Sequence, residues 1–234
     1  MSNLRKVFRL GTFGVLASLI ISTTSCDFND DNNGQPTSVA YVSIYNAIPD
    51  APELDITVDN RMINPRAFEF GDNTYYQNFY PGQRAFQITP YGANNVVTDT
   101  TVTLVDGNAY SFFMVDEYSK AQILITNDSA AVGEEGKVKV RLINLSPDAS
   151  PVSLKLKDGE NTLIENQPFK NASSFLELDP GTFDFEIVSS GGEPSILIPN
   201  IDLQSGAVRT IVVRGYRNPP AGNTNAIGAE LVRN

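Results

Sequence analysis

Apolar and polar residues alternate with period two through much of the chain. Leu54, Ile56 and Val58 interleave with Asp55, Thr57 and Asp59, and Val152, Leu154 and Leu156 interleave with Ser153, Lys155 and Lys157. That period marks a strand with one face on a core and the other in water. Strands are predicted over 41–46, 54–58, 74–79, 84–89, 96–105, 110–115 and 122–126. The later half repeats the pattern: Phe86 and Ile88 answer to Phe185 and Ile187, Val102 and Leu104 to Ile201 and Leu203, and Phe112 and Met114 to Ile211 and Val213. Neither half has a helical period. Short strands joined by Pro, Gly, Asn and Asp turns predict an all-β chain of two tandem antiparallel β-sandwich domains, immunoglobulin-like or transthyretin-like in size. The strand order stays open at this level.

The turns carry the repeat as clearly as the strands do. Asn46-Ala47-Ile48-Pro49-Asp50-Ala51 returns as Asn144-Leu145-Ser146-Pro147-Asp148-Ala149, an offset of 98, while Pro81-Gly82 and Gly107 return at an offset of 99 as Pro180-Gly181 and Gly206. One extra residue separates two parallel copies. The first is expected over 39–128 and the second over 137–234, with 129–136 (SAAVGEEG) as a small, acidic linker. The repeated Asn46, Asp50, Asn144 and Asp148 suit turns, because Asn and Asp bond nearby backbone groups and Pro presets the turn.

The first 25 residues have the layout of a secretory signal, with basic Arg5, Lys6 and Arg9, an apolar run from Leu10 to Ile21, and small residues before Cys26. A run of about 12 residues is short of the roughly 20 that a spanning helix needs. Cys26 is the only cysteine, and Thr23-Thr24-Ser25-Cys26 resembles the loosened lipobox of Bacteroidetes lipoproteins, which implies lipidation at Cys26. Residues 26–38 (CDFNDDNNGQPTS) read as an acidic tether. Their acidity resembles the signal that sends such lipoproteins to the cell surface, so the expected location is the outer membrane, reached through a lipid anchor. Asn29, Asp31, Asn33 and Gly34 match the start of a calcium loop, but position twelve is Ala40, so no metal site is read there.

A strand, then Asn-x-x-Pro-Asp-Ala, an alternating strand ending in Asp-Asn or Asp-Gly, an aromatic run into Pro-Gly, and Gly-x-x-Tyr before a late strand together resemble the unknown-function domain family 4397. That family occurs in secreted and cell-surface bacterial proteins. The resemblance implies fold and location and brings no activity with it. The second copy departs from it at Arg209, where the first has Tyr110.

The chain has no histidine and no tryptophan, and its one cysteine is assigned to the anchor. His-based acid–base chemistry, Ser-His-Asp and Cys-His nucleophiles, and the usual zinc ligands are thereby excluded, and no carboxylate pair stands out, so no enzyme, cofactor or catalytic residue is expected. Without the signal, 14 Lys and Arg face 27 Asp and Glu, which argues against nucleic acid and against direct binding to anionic lipid. Tyr75, Tyr80 and Tyr91 pair with Ser174, Asp179 and Ser190 and should face water, forming a candidate ligand platform for a glycan or protein partner. The expected function is a non-enzymatic surface lipoprotein that presents two sandwiches for adhesion or envelope assembly. The alternatives are an accessory glycan-binding lipoprotein of an uptake system and a fimbrial subunit.

Overall fold

The computed structural model describes residues 38–129, 133–157, 159, 161–191 and 195–234. The signal segment, Cys26, the tether up to residue 37 and residues 130–132 of the expected linker lie outside the described residues. Residues 38–234 form one unit.

The first half contributes β1 (Ala40–Asn46), β2 (Leu54–Val58), β3 (Arg61–Met62), β4 (Gln77–Phe79), β5 (Gly82–Pro90), β6 (Thr98–Leu104), β7 (Ala109–Val115) and β8 (Gln122–Asn127). The second contributes β9 (Val138–Asn144), β10 (Val152–Leu156), β11 (Thr162–Gln167), β12 (Asn171–Ala172), β13 (Leu176–Leu178), β14 (Gly181–Ser189), β15 (Ile196–Leu203), β16 (Val208–Arg214) and β17 (Gly228–Arg233). Two sheets, β4-β1-β7-β8 and β3-β2-β5-β6, enclose the first core; β12-β9-β16-β17 and β11-β10-β14-β15 enclose the second. The all-β sandwich reading holds. It is not purely antiparallel, because β1 runs parallel to β7 and β9 parallel to β16.

Alternation explains which side chains fill each core. Ile56, Phe86, Ile88 and Phe112 meet in the first, and Leu154, Phe185, Ile187 and Ile211 meet in the second. β3 is a strand that the alternation does not predict. Asp59 and Asn60 both have left-handed φ, 50° and 64°, and join Val58 to Arg61 as a two-residue hairpin loop of the type that matches strand twist.

The strands beside the parallel pairings do not alternate. Tyr45, Phe113 and Val115 point away from the first core, and Ile143, Leu145, Val212 and Val232 away from the second. They meet in a third apolar cluster that joins the two sandwiches. Strands buried on both faces read as continuous apolar runs, which is what Ser-Phe-Phe-Met-Val and Thr-Ile-Val-Val are. A polar network borders this seam. Arg141 Nη1 lies 2.7 Å from Asp128, both side chains being almost wholly buried, and Arg141 Nε donates to Thr210. Tyr76 and Thr126 also donate to the Asp128 carboxylate, at 2.7 and 2.9 Å. Asn223 and Asn225, in the connection between β16 and β17, reach across to the carbonyl of Pro49.

Candidate ligand-binding site

The outer face of the β3-β2-β5-β6 sheet carries a groove of about 360 Å3. Asp55 and Thr57 of β2 stand directly opposite Thr89 and Gln87 of β5. Asn60, Asn94 and the exposed apolar side chains of Met62 and Val96 form the rim. Asp55 is buried, and its carboxylate is already engaged: one oxygen accepts from Gly92 N at 2.8 Å and the other from Asn64 Nδ2 at 3.3 Å. This fixes the 90–97 hairpin against β2. Asn64 in turn ties the segment after β3, since its Oδ1 accepts from Ile56 N and its Nδ2 also donates to the carbonyls of Leu54 and Arg66. By contrast, the side chains of Thr57, Asn60, Gln87, Thr89 and Asn94 have no hydrogen-bond partner among the described residues. The result is a set of hydroxyls and amides on the sheet, Thr89 buried, Thr57 and Gln87 half-buried and Asn60 and Asn94 exposed, with apolar edges. Such a set can hydrogen-bond a polyhydroxylated ligand and has no group arranged for covalent or acid–base work.

The corresponding face of the second sandwich is closed. Lys155 and Glu186, at the positions of Thr57 and Gln87, form an ion pair at 3.1 Å, and Ser153, at the position of Asp55, accepts from Asn166 N. The Ser195 hydroxyl and then Lys155 hold the Glu186 carboxyl below its usual range. This difference was available in the sequence as neutral Thr-Gln against charged Lys-Glu.

Tyr75, Tyr80 and Tyr91 are all exposed, at 66%, 71% and 55%. The structure does not bring them together. Tyr80 precedes β5 and Tyr91 follows it, and that strand alone is nine residues, about 30 Å. Tyr75, with φ of 54°, sits at the edge of the other sheet, next to Thr74, which bonds to Ile44. Exposure, which comparison of the copies does reveal, is not co-location. Only Tyr91 adjoins the groove, next to Gly92 on its wall.

The repeated turn residues are occupied with the fold. Asn46 Oδ1 accepts from Ile48 N and Asn144 Oδ1 from Ser146 N, each deeply buried. Asp50 accepts from Tyr118 N, while Asp148 accepts from the backbone nitrogens of Arg217 and Asn218. In both halves the Asp pins the connection that leaves the parallel pair of strands.

Fold and groove together describe a pair of β-sandwiches, the first with an open polar groove on its outer sheet. Residues 40–155, from β1 into β10, match the family model described as Domain of unknown function (DUF4397), which supports that domain family for this segment. No curated protein matches the sequence. Among solved structures, the C-terminal domain of AlgF from P. aeruginosa is similar at 20% identity and a TM-score of 0.33, over 43% of this chain and 100% of that one. An α-glucan-binding streptococcal virulence factor matches at 13% identity and 0.24, over 73% and 93%. A family 26 carbohydrate-binding module from Eubacterium rectale, in complex with maltoheptaose, matches at 10% and 0.27, over 84% and 97%. At these scores the likenesses carry no argument about this chain.

Proposed function

We propose that the protein is a non-enzymatic surface lipoprotein, anchored through Cys26 to the outer membrane, whose two sandwiches are domains of one family. The first binds a neutral glycan along the groove on its outer sheet, for adhesion or for an uptake system. The observation that supports this reading is the row of unpartnered hydroxyl and amide side chains at Thr57, Asn60, Gln87, Thr89 and Asn94, flanked by Met62, Val96 and Tyr91. Sugars offer hydroxyls as both donors and acceptors, and each hydrogen bond formed contributes about 0.5–1.5 kcal/mol net. Among the described residues Asp55 is the only charged one lining the groove, so a neutral sugar suits it better than an acidic one. The open shape goes with weak, multivalent capture, which suits many copies on one membrane.

The test has two arms. Cells expressing the wild type should carry the protein on their surface, label with a palmitate analogue and bind immobilised neutral polysaccharide, while Cys26→Ser loses the label and the surface protein. The mature chain carrying Cys26→Ser, applied to a glycan array, should still bind neutral oligosaccharides. Unchanged labelling of Cys26→Ser refutes the anchor, and a blank array refutes the glycan reading.

A further inference from the structure

Two cations stand on the outer face of β9 where the first half has neutral residues. Lys139 and Arg141 occupy the positions held by Tyr41 and Ser43, 98 residues earlier. Both line a second pocket, of about 360 Å3, at the edge of the seam. Its other walls are Asn127 from β8, Ser173, Ser174 and Phe175 between β12 and β13, and Glu177 of β13. Position 174 keeps it open. The counterpart of Ser174 is Tyr75, so a hydroxymethyl group lines the pocket where the first half carries a phenol ring.

The donors here are incompletely used. Arg141 gives Nη1 to Asp128 and Nε to Thr210, and its guanidinium lies 4.7 Å from the centre of the Phe175 ring. Its Nη2 is buried without a hydrogen-bond partner. A buried donor left so is unfavourable, and an acceptor placed there recovers that cost. Lys139 Nζ is 3.5 Å from the half-exposed Glu177 carboxylate, a long contact that an incoming anion can displace. The Ser174 hydroxyl and the Asn127 amide nitrogen have no partner among the described residues. Asp128 does not repel such an anion strongly, because its charge is answered by Arg141, Tyr76 and Thr126.

We propose that this pocket is an oxyanion-binding subsite, taking a carboxylate or sulfate group either as a free ion or as a substituent of an acidic glycan. A guanidinium beside an ammonium is the donor set that planar or tetrahedral oxyanions select. The subsite is separate from the neutral-glycan groove, and either can fail without the other.

The experiment is a titration of the mature chain carrying Cys26→Ser, followed by amide chemical shifts. The probes are sodium sulfate, against sodium chloride at equal ionic strength, and a galacturonate trisaccharide. Saturable shifts are expected at Lys139, Arg141 and Ser174. Affinity should fall at least tenfold in Ser174→Tyr, which restores the residue of the first half, and in Lys139→Gln, with the unfolding midpoint unchanged. If Ser174→Tyr fails to fold, Lys139→Gln decides alone. Tighter binding of the trisaccharide assigns the glycan source, and binding of sulfate alone assigns the free ion. No saturable response to either probe, or equal affinity in the folded variants, overturns the proposal.

Discussion

Asp128 gathers the polar side of the seam: Arg141 bonds to it from the second half, and Tyr76 and Thr126 bond to it from the first. Removing one member of a buried ion pair costs about 3–5 kcal/mol, so Asp128→Ala would blur every other effect. Tyr76 is the milder probe. Burial first, and then the Asp128 charge, push its phenol from 10.0 up to about 12. A group whose folded pKa is raised contributes fully below its unfolded value and loses that contribution as pH rises through the folded one. The chain should therefore lose stability between about pH 10 and 12. In Tyr76→Phe that decline should be shallower, the remainder belonging partly to Tyr45, whose phenol is also pushed up by burial. Denaturant unfolding at several pH values across the window checks this, and identical slopes for the two proteins would count against it.

At the scale of elements, β7 shows how one strand serves two cores. Phe112 and Met114 face the first core, and Phe113 and Val115 face the seam. Phe113→Ala should cost about 3–5 kcal/mol, the range for deleting a buried aromatic ring. Because the lost contacts are shared, both halves should melt earlier and in one calorimetric transition. A shift confined to one of two separate transitions would show that the seam does not couple them. The inward faces of β2, β5 and β14 were legible from alternation, and the Asn and Asp turns from composition. The outer faces of β1, β7, β9 and β16 are not legible from alternation, because strands buried on both faces lose it, as Val-Arg-Leu-Ile and Ser-Phe-Phe-Met-Val do. The two sandwiches share an apolar seam through these faces. The groove escaped for a different reason. It depends on Thr57 and Gln87 lying opposite each other, and register cannot be read from strands whose pairing order is unknown.

Across the whole molecule, duplication has produced two faces of unequal character on one body. The face over β2 and β5 is open, with hydroxyls and amides unspent; the face over β10 and β14 is shut by Lys155 and Glu186. Since Thr57 and Gln87 are cross-strand partners, as Lys155 and Glu186 are, the ion pair of the second half can be placed on the first with little demand on the core. The most direct measurement is calorimetric titration of a neutral oligosaccharide that binds on the array into the wild type and into the double variant Thr57→Lys with Gln87→Glu. The wild type should bind with one site per chain, and the folded double variant at least tenfold more weakly, a loss of about 1.4 kcal/mol or more. Equal affinity in the two proteins would contradict the assignment of the binding face to the first sandwich.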